Sequence, residues 1–231
     1  MENKRYKYNK FLYNDKWLFK KELQSNDEEL IKMLDNELYM WQLLKKYDFI
    51  PQILFFDNKD SHYIIYQYID GVTLDKYKFK DDKEKLTVFV KILEKIEVIH
   101  DLFIVHCDLK PSNIIISNNN IYILDFGNAK FIGDKTNYGT PRYCSVSQLK
   151  KEKITYNFDI YSLGIILYEL LTSKPSFKDM NIDSLIKEKE DSDLELSDDK
   201  LNTIFYKMTN GFYNDIKSVK KELLESSIDV M

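Results

Sequence analysis

The stretch His106-Cys107-Asp108-Leu109-Lys110-Pro111-Ser112-Asn113, followed by Asp125-Phe126-Gly127, limits this 231-residue chain more than any other feature. Between the two clusters the short apolar runs NIIIS and IYILDFG flank an Asn118-Asn119-Asn120 turn, a pattern that predicts a strand pair. Asp108, Lys110, Asn113 and Asp125 then sit in loops at strand ends. Their chemistry belongs together. Moving a phosphoryl group spreads negative charge, so a catalyst needs metal ligands, a cation beside the phosphates and a carboxylate that orients the attacking hydroxyl. Asp108 can be that carboxylate, Asn113 and Asp125 offer oxygen ligands of the kind Mg2+ takes, and Lys110 can neutralise charge on the moving group.

The remainder of the chain predicts a strand-rich front and a helical back. Residues 5–23 alternate as strands about Asn14-Asp15, and 52–56 with 62–69 read as a second strand pair closed by Asp70-Gly71. Between the pairs, Leu30, Leu34, Leu38, Trp41 and Leu44 recur at helical spacing within 27–47, with Ser25 to Asp27 able to cap the start. Further helices are predicted at 82–101, 157–172, 181–190, 198–209 and 215–226, with a loop over 128–145 and a solvated charged connection over 187–200. Basic and acidic residues nearly balance, 34 against 38, which disfavours DNA or RNA as a partner. No stretch approaches the roughly 20 apolar residues of a membrane span, and the N-terminus lacks a signal-peptide core. A soluble, intracellular, cytoplasmic protein is expected, with Cys107 and Cys144 as free thiols.

On these motifs the chain resembles the eukaryotic-type protein kinase superfamily, from about Trp17 to the C-terminus. Gly139-Thr140-Pro141-Arg142-Tyr143 is similar to the family's substrate-docking segment, and Asp159-Ile160-Tyr161-Ser162-Leu163-Gly164 to the start of its central helix. The resemblance implies an α+β, two-lobed fold: one kinase domain over 1–231, with a truncated sheet lobe plus one helix at 1–69 and a mainly helical lobe at 70–231. It also implies Mg-ATP as the phosphoryl source and a protein substrate, and Lys110 with Thr140 stand where serine/threonine-specific members carry them. A strand lysine held by a helix glutamate on the α- and β-phosphates is implied as well. Trp17-Leu18-Phe19-Lys20 supplies it, so Lys20 is expected to face the nucleotide with Leu18, Lys21 is its rival, and Glu37 is the partner. Gln67 and Ile69 would meet the adenine edge through their backbone, Tyr66 would guard the pocket, and Ile115 would lie beneath the base. His106 is expected to be structural, against Phe126 and anchored by Asp159.

The departures from the family pattern are equally specific. No glycine precedes Gly71, so the phosphate-covering glycine loop is absent and the first strand is expected to be missing with it. Weak ATP binding follows, unless an activating protein partner or the segment 1–10, with Lys4, Arg5 and Lys7, covers the phosphates. Cys107 replaces the arginine that grips an activation-loop phosphate in many members. The family's Ala-Pro-Glu reads Ser145-Val146-Ser147, and no arginine follows Arg142 to serve the glutamate's usual partner role. The leading expectation is an active serine/threonine protein kinase. A non-catalytic pseudokinase scaffold and a small-molecule phosphotransferase are the alternatives.

Overall fold

The computed structural model describes residues 5–135, 139–178 and 181–226. Two strands, β1 (Tyr6–Tyr13) and β2 (Lys16–Leu23), form the opening hairpin. Its turn residues Asn14 and Asp15 both have positive φ, 47° and 60°, the mirror-image turn that suits strand twist and that Asn and Asp tolerate best. Helix α1 (Glu28–Leu44) follows, its first turn capped by the Asp27 carboxylate, which accepts from the Glu29 and Leu30 amides. Strands β3 (Ile53–Asp57) and β4 (Tyr63–Gln67) complete an antiparallel sheet of order β1-β2-β4-β3. Leu34 and Leu38 of α1 pack on Ile53 and Ile64, which fixes the helix against one sheet face.

Beyond Gln67 the sheet gives way to helices. In chain order come β5 (Val72–Thr73), α2 (Asp82–His100), β6 (Ile104–Val105), β7 (Ile114–Ser117), β8 (Asn120–Ile123) and β9 (Lys130–Phe131). Helices α3 (Val146–Leu149), α4 (Asn157–Thr172), α5 (Ile182–Glu190), α6 (Asp199–Thr209) and α7 (Ile216–Ser226) follow. The short strands pair as β5-β7-β8 and β6-β9. One core joins Phe89, Leu93 and Ile96 of α2 to Leu163 and Ile166 of α4 and to residues of α6 and α7. Helix α4 is buried from Phe158 to Tyr168, so it is apolar around most of its circumference rather than along one stripe. Gly164 lets α6 come close: a Cβ there would stand 3.1 Å from the Met208 Cβ and from Thr209.

The fold is therefore α+β, with a small sheet and one helix ahead of a mainly helical body, as expected. The strand pairs and five later helices fall within a few residues of the sequence reading. The stretch 187–200 differs: Lys189 and Leu196 are buried. Counting charges hid the helical spacing of Leu185 and Lys189, four residues apart on one face of α5. No helix among the described residues is long and apolar enough to cross a membrane.

Candidate active site

The loop after β6 is held by a single buried carboxylate. Asp159, in the first turn of α4, is fully buried. Its Oδ2 accepts from the His106 amide at 2.8 Å and lies 2.9 Å from His100 Nε2, while Oδ1 accepts from the Cys107 amide at 3.0 Å. Cys107 turns the chain with φ at 62°, and the His106 ring packs on Phe126 with centroids 4.9 Å apart. His106 is thus structural and anchored by Asp159, as anticipated.

Asp108 emerges from this loop only 7% exposed. Its Oδ1 accepts the Thr140 amide at 2.7 Å, and Oδ2 lies 3.4 Å from Lys110 Nζ, which donates to Thr140 Oγ1 at 2.8 Å. The fold thus brings Asp108, Lys110 and Thr140 together. Gly139 permits the approach, since a Cβ there would lie 2.3 Å from the Cys107 carbonyl oxygen. Asn113 Nδ2 donates to the Asp108 carbonyl at 3.0 Å, which leaves its Oδ1 as an acceptor. Asp125, in the left-handed region at φ 64°, lines the same cleft as Asn113.

The strand lysine is a correction. Lys20 bonds Glu22 at 2.7 Å and lies over the Tyr63 ring, away from the cleft. Lys21 is the buried cation, 2.7 Å from Glu37 Oε2 and 2.9 Å from Asp125 Oδ1. Residues two apart do share a face, but the cleft face carries Phe19 and Lys21, and Leu18 is buried on the other. An apolar neighbour misleads when both faces of a strand are covered. Burial alone would depress the Lys21 ammonium, yet the Asp125 and Glu37 carboxylates drive it well above its ordinary value. Burial raises the Glu37 carboxyl despite Lys21. Asp125 goes the other way: burial would raise it, but Lys21, aided by Lys110 and His106, holds it below the usual carboxylate value.

A cleft of about 670 Å³ opens beside this charge chain. Gln67, Ile69 and Ile115 line it as expected, and so does Tyr66, whose hydroxyl donates to Glu37 Oε1. Its upper wall was missed. Tyr8 stacks on Phe19 with centroids 5.6 Å apart, both line the cleft, and Lys21 Nζ lies 4.5 Å from the Tyr6 ring centroid. Lys7, expected to bring charge over the phosphates, alternates to the opposite face, beside Glu22 and away from the cleft; residues 1–4, with Lys4, lie outside the described residues. Three further contacts carried no motif. Asn36 Nδ2 reaches the Phe126, Gly127 and Ala129 carbonyls at 2.9–3.1 Å, tying α1 to the loop that carries Asp125. Gln148 Nε2 donates to the Cys107 carbonyl at 2.6 Å, and Lys189 contacts the docking segment.

The donor set suits a magnesium nucleotide. Asp125 and Asn113 present hard oxygen acceptors on one side, the Lys21 ammonium balances phosphate charge, and the apolar residues Phe19 and Ile115 suit a base.

A family model described as the protein kinase domain matches residues 6–229. The chain is 35% identical to a probable serine/threonine-protein kinase of Streptomyces coelicolor over 136 residues, 53% of this chain and 20% of that protein. It is 35% identical to the serine/threonine-protein kinase PknB of Mycolicibacterium smegmatis over 128 residues, 50% of this chain and 20% of the other. For the probable PknB of Lactococcus lactis the identity is 32% over 130 residues, 52% and 21% respectively. The matched stretch spans about a fifth of the length of these curated relatives.

Proposed function

The chain belongs to the protein kinase family, and from that premise we propose that it transfers the γ-phosphoryl group of ATP to a serine or threonine hydroxyl of a protein. The observation that carries this reading is the unbroken run of catalytic polar groups: Glu37, Lys21 and Asp125 joined by ion pairs, beside Asp108, Lys110 and Thr140 joined by hydrogen bonds. ATP supplies the phosphoryl group, and Mg2+ neutralises its charge. Asp125 and the free Oδ1 of Asn113 are the ligands for that ion. Lys21, fixed by Glu37, offers its ammonium to the phosphates. The Asp108 carboxylate orients the acceptor hydroxyl and takes its hydrogen bond, while Lys110 spreads positive charge along the path of transfer.

Serine/threonine specificity is supported by the Lys110–Thr140 bond and by relatives that are serine/threonine kinases by name. A protein acceptor is supported by the segment from Gly139 to Ser145, which stands next to Asp108. We place the protein inside the cell as one kinase domain over 1–231, with its sheet lobe ending near residue 69. The absent glycine loop favours a second reading, a pseudokinase that binds but does not transfer. Radiolabelled ATP with Mg2+ and a generic protein acceptor decides between them. Label in the acceptor or in the protein itself, lost in Asp108→Asn, is the expected result. Nucleotide binding without any transfer would establish the second reading.

A further inference from the structure

The docking segment Gly139–Ser145 meets the helical body where charge is scarce. Cys144, Leu149, Tyr161, Ile165, Phe177 and Leu185 form an apolar cluster there. Into it α5 sends Lys189, 8% exposed. Its Nζ donates to the Arg142 carbonyl at 2.7 Å and to the Tyr161 hydroxyl oxygen at 3.3 Å, and lies 4.0 Å from the Phe177 ring centroid. These partners are all neutral, and no carboxylate among the described residues pairs with it. Burying an ammonium without a counter-charge is costly. A methionine or leucine would fill the same apolar space without that cost, so what the amine adds is its hold on Arg142.

We propose that Lys189 is a positioning residue for acceptor binding, fastening the docking segment to α4 and α5 through the Arg142 carbonyl. The proposal rests on the kinase activity inferred above. It also accounts for how the segment stays in place when Ser147 stands at the family's glutamate position and no arginine follows Arg142. The other contacts around it are local. Tyr143 donates to Glu169 of α4 at 2.8 Å, and Ser162 to the Tyr143 carbonyl at 2.9 Å.

Proton occupancy makes the tether testable. Burial lowers Lys189 to about 7, against the raising influence of Cys144, Glu188 and Glu169, with Arg142 adding to the decrease. Tyr161 and Cys144, facing it from α4 and from the segment, are pushed up by burial and stay neutral across the working range. An undocked, solvated lysine keeps its proton up to about 10.5. The docked form therefore binds fewer protons, so docking strengthens as pH rises from about 7 towards 10 and is flat below 7.

The test compares the whole protein with Lys189→Met from pH 6.5 to 9.5. At pH 9 the variant should raise the KM for the acceptor roughly fivefold to tenfold, the value of one lost hydrogen bond, with the KM for ATP within twofold, because Lys189 is not part of the cleft. The acceptor KM of the wild type should fall with rising pH, and that of the variant should be flat by comparison. Equal loss of kcat with both KM values unchanged would mean that Lys189 only stabilises the fold, and the proposal would be wrong. Amide hydrogen exchange on the wild type, with intrinsic rates divided out, decides the tether without any variant. Protection of the Arg142–Cys144 amides should rise with pH relative to α2, and a flat or falling ratio overturns the proposal. If wild-type protein transfers no phosphate, the kinase reading fails, while the exchange measurement still decides the tether.

Discussion

The two walls of the cleft are built on different principles. The lower wall, from His106 to Asn113, hangs from one buried carboxylate on the most buried helix, and each polar group there has a fixed backbone or side-chain partner. The upper wall is a four-stranded sheet whose outer strand β1 brings tyrosines, not glycines, to the cleft. The lower wall does chemistry through exact placement of short loops. The upper wall covers and steadies the nucleotide through rings and through Lys21. Placement tolerates no substitution, whereas coverage tolerates many. That difference should appear in how strongly each wall responds to change.

Asp108→Asn should have the largest effect, a fall in kcat of about 10²–10⁴ with the thermal midpoint little changed, because one oxygen is exchanged and almost no volume. Activity near that of the wild type would remove the lower wall from the chemistry. Asp159→Ala should lower stability by about 3 kcal/mol or more in urea unfolding, since it leaves three buried donors without their acceptor. On the upper wall Lys21→Met should cut kcat/KM by about 10², the loss of a charge that touches phosphate, while Lys20→Met changes it by less than about twofold. The reverse order would show that the register of β2 slips when nucleotide binds. Tyr8→Ala should do least, raising the KM for ATP by about threefold to tenfold through a lost stacking surface and leaving kcat alone. A kcat effect as large as that of Lys21→Met would erase the distinction between the walls.

The sequence made the lower wall legible because its residues follow one another at fixed offsets, so chemistry could be read without knowing which way any strand faced. Asp108, Lys110, Asn113 and Asp125 needed only that loop. The helices were legible for a similar reason, since long periodic runs such as 82–101 have one solution. On the upper wall the unit of inference was a strand, where a shift of one residue exchanges the faces. Leu18 and Lys21 are both buried on opposite faces of β2, so polarity alone could not choose between Lys20 and Lys21. The same alternation moved Lys7 off the cleft and put Tyr6 and Tyr8 on it. Lys189 was hidden differently: a buried lysine in a run of charges looks like solvent-facing helix until its partners in a segment 47 residues away are known.

Asp159 has one more consequence. Because it clasps His100 at the end of α2 and both amides of the catalytic loop from within α4, that loop shares the fate of the two central helices. It has no low-energy route to melt by itself, as an exposed loop would. On heating, loss of transfer should coincide with the single cooperative melting of the helical body, whereas the tyrosine-lined strand can fray earlier and return without inactivating the enzyme.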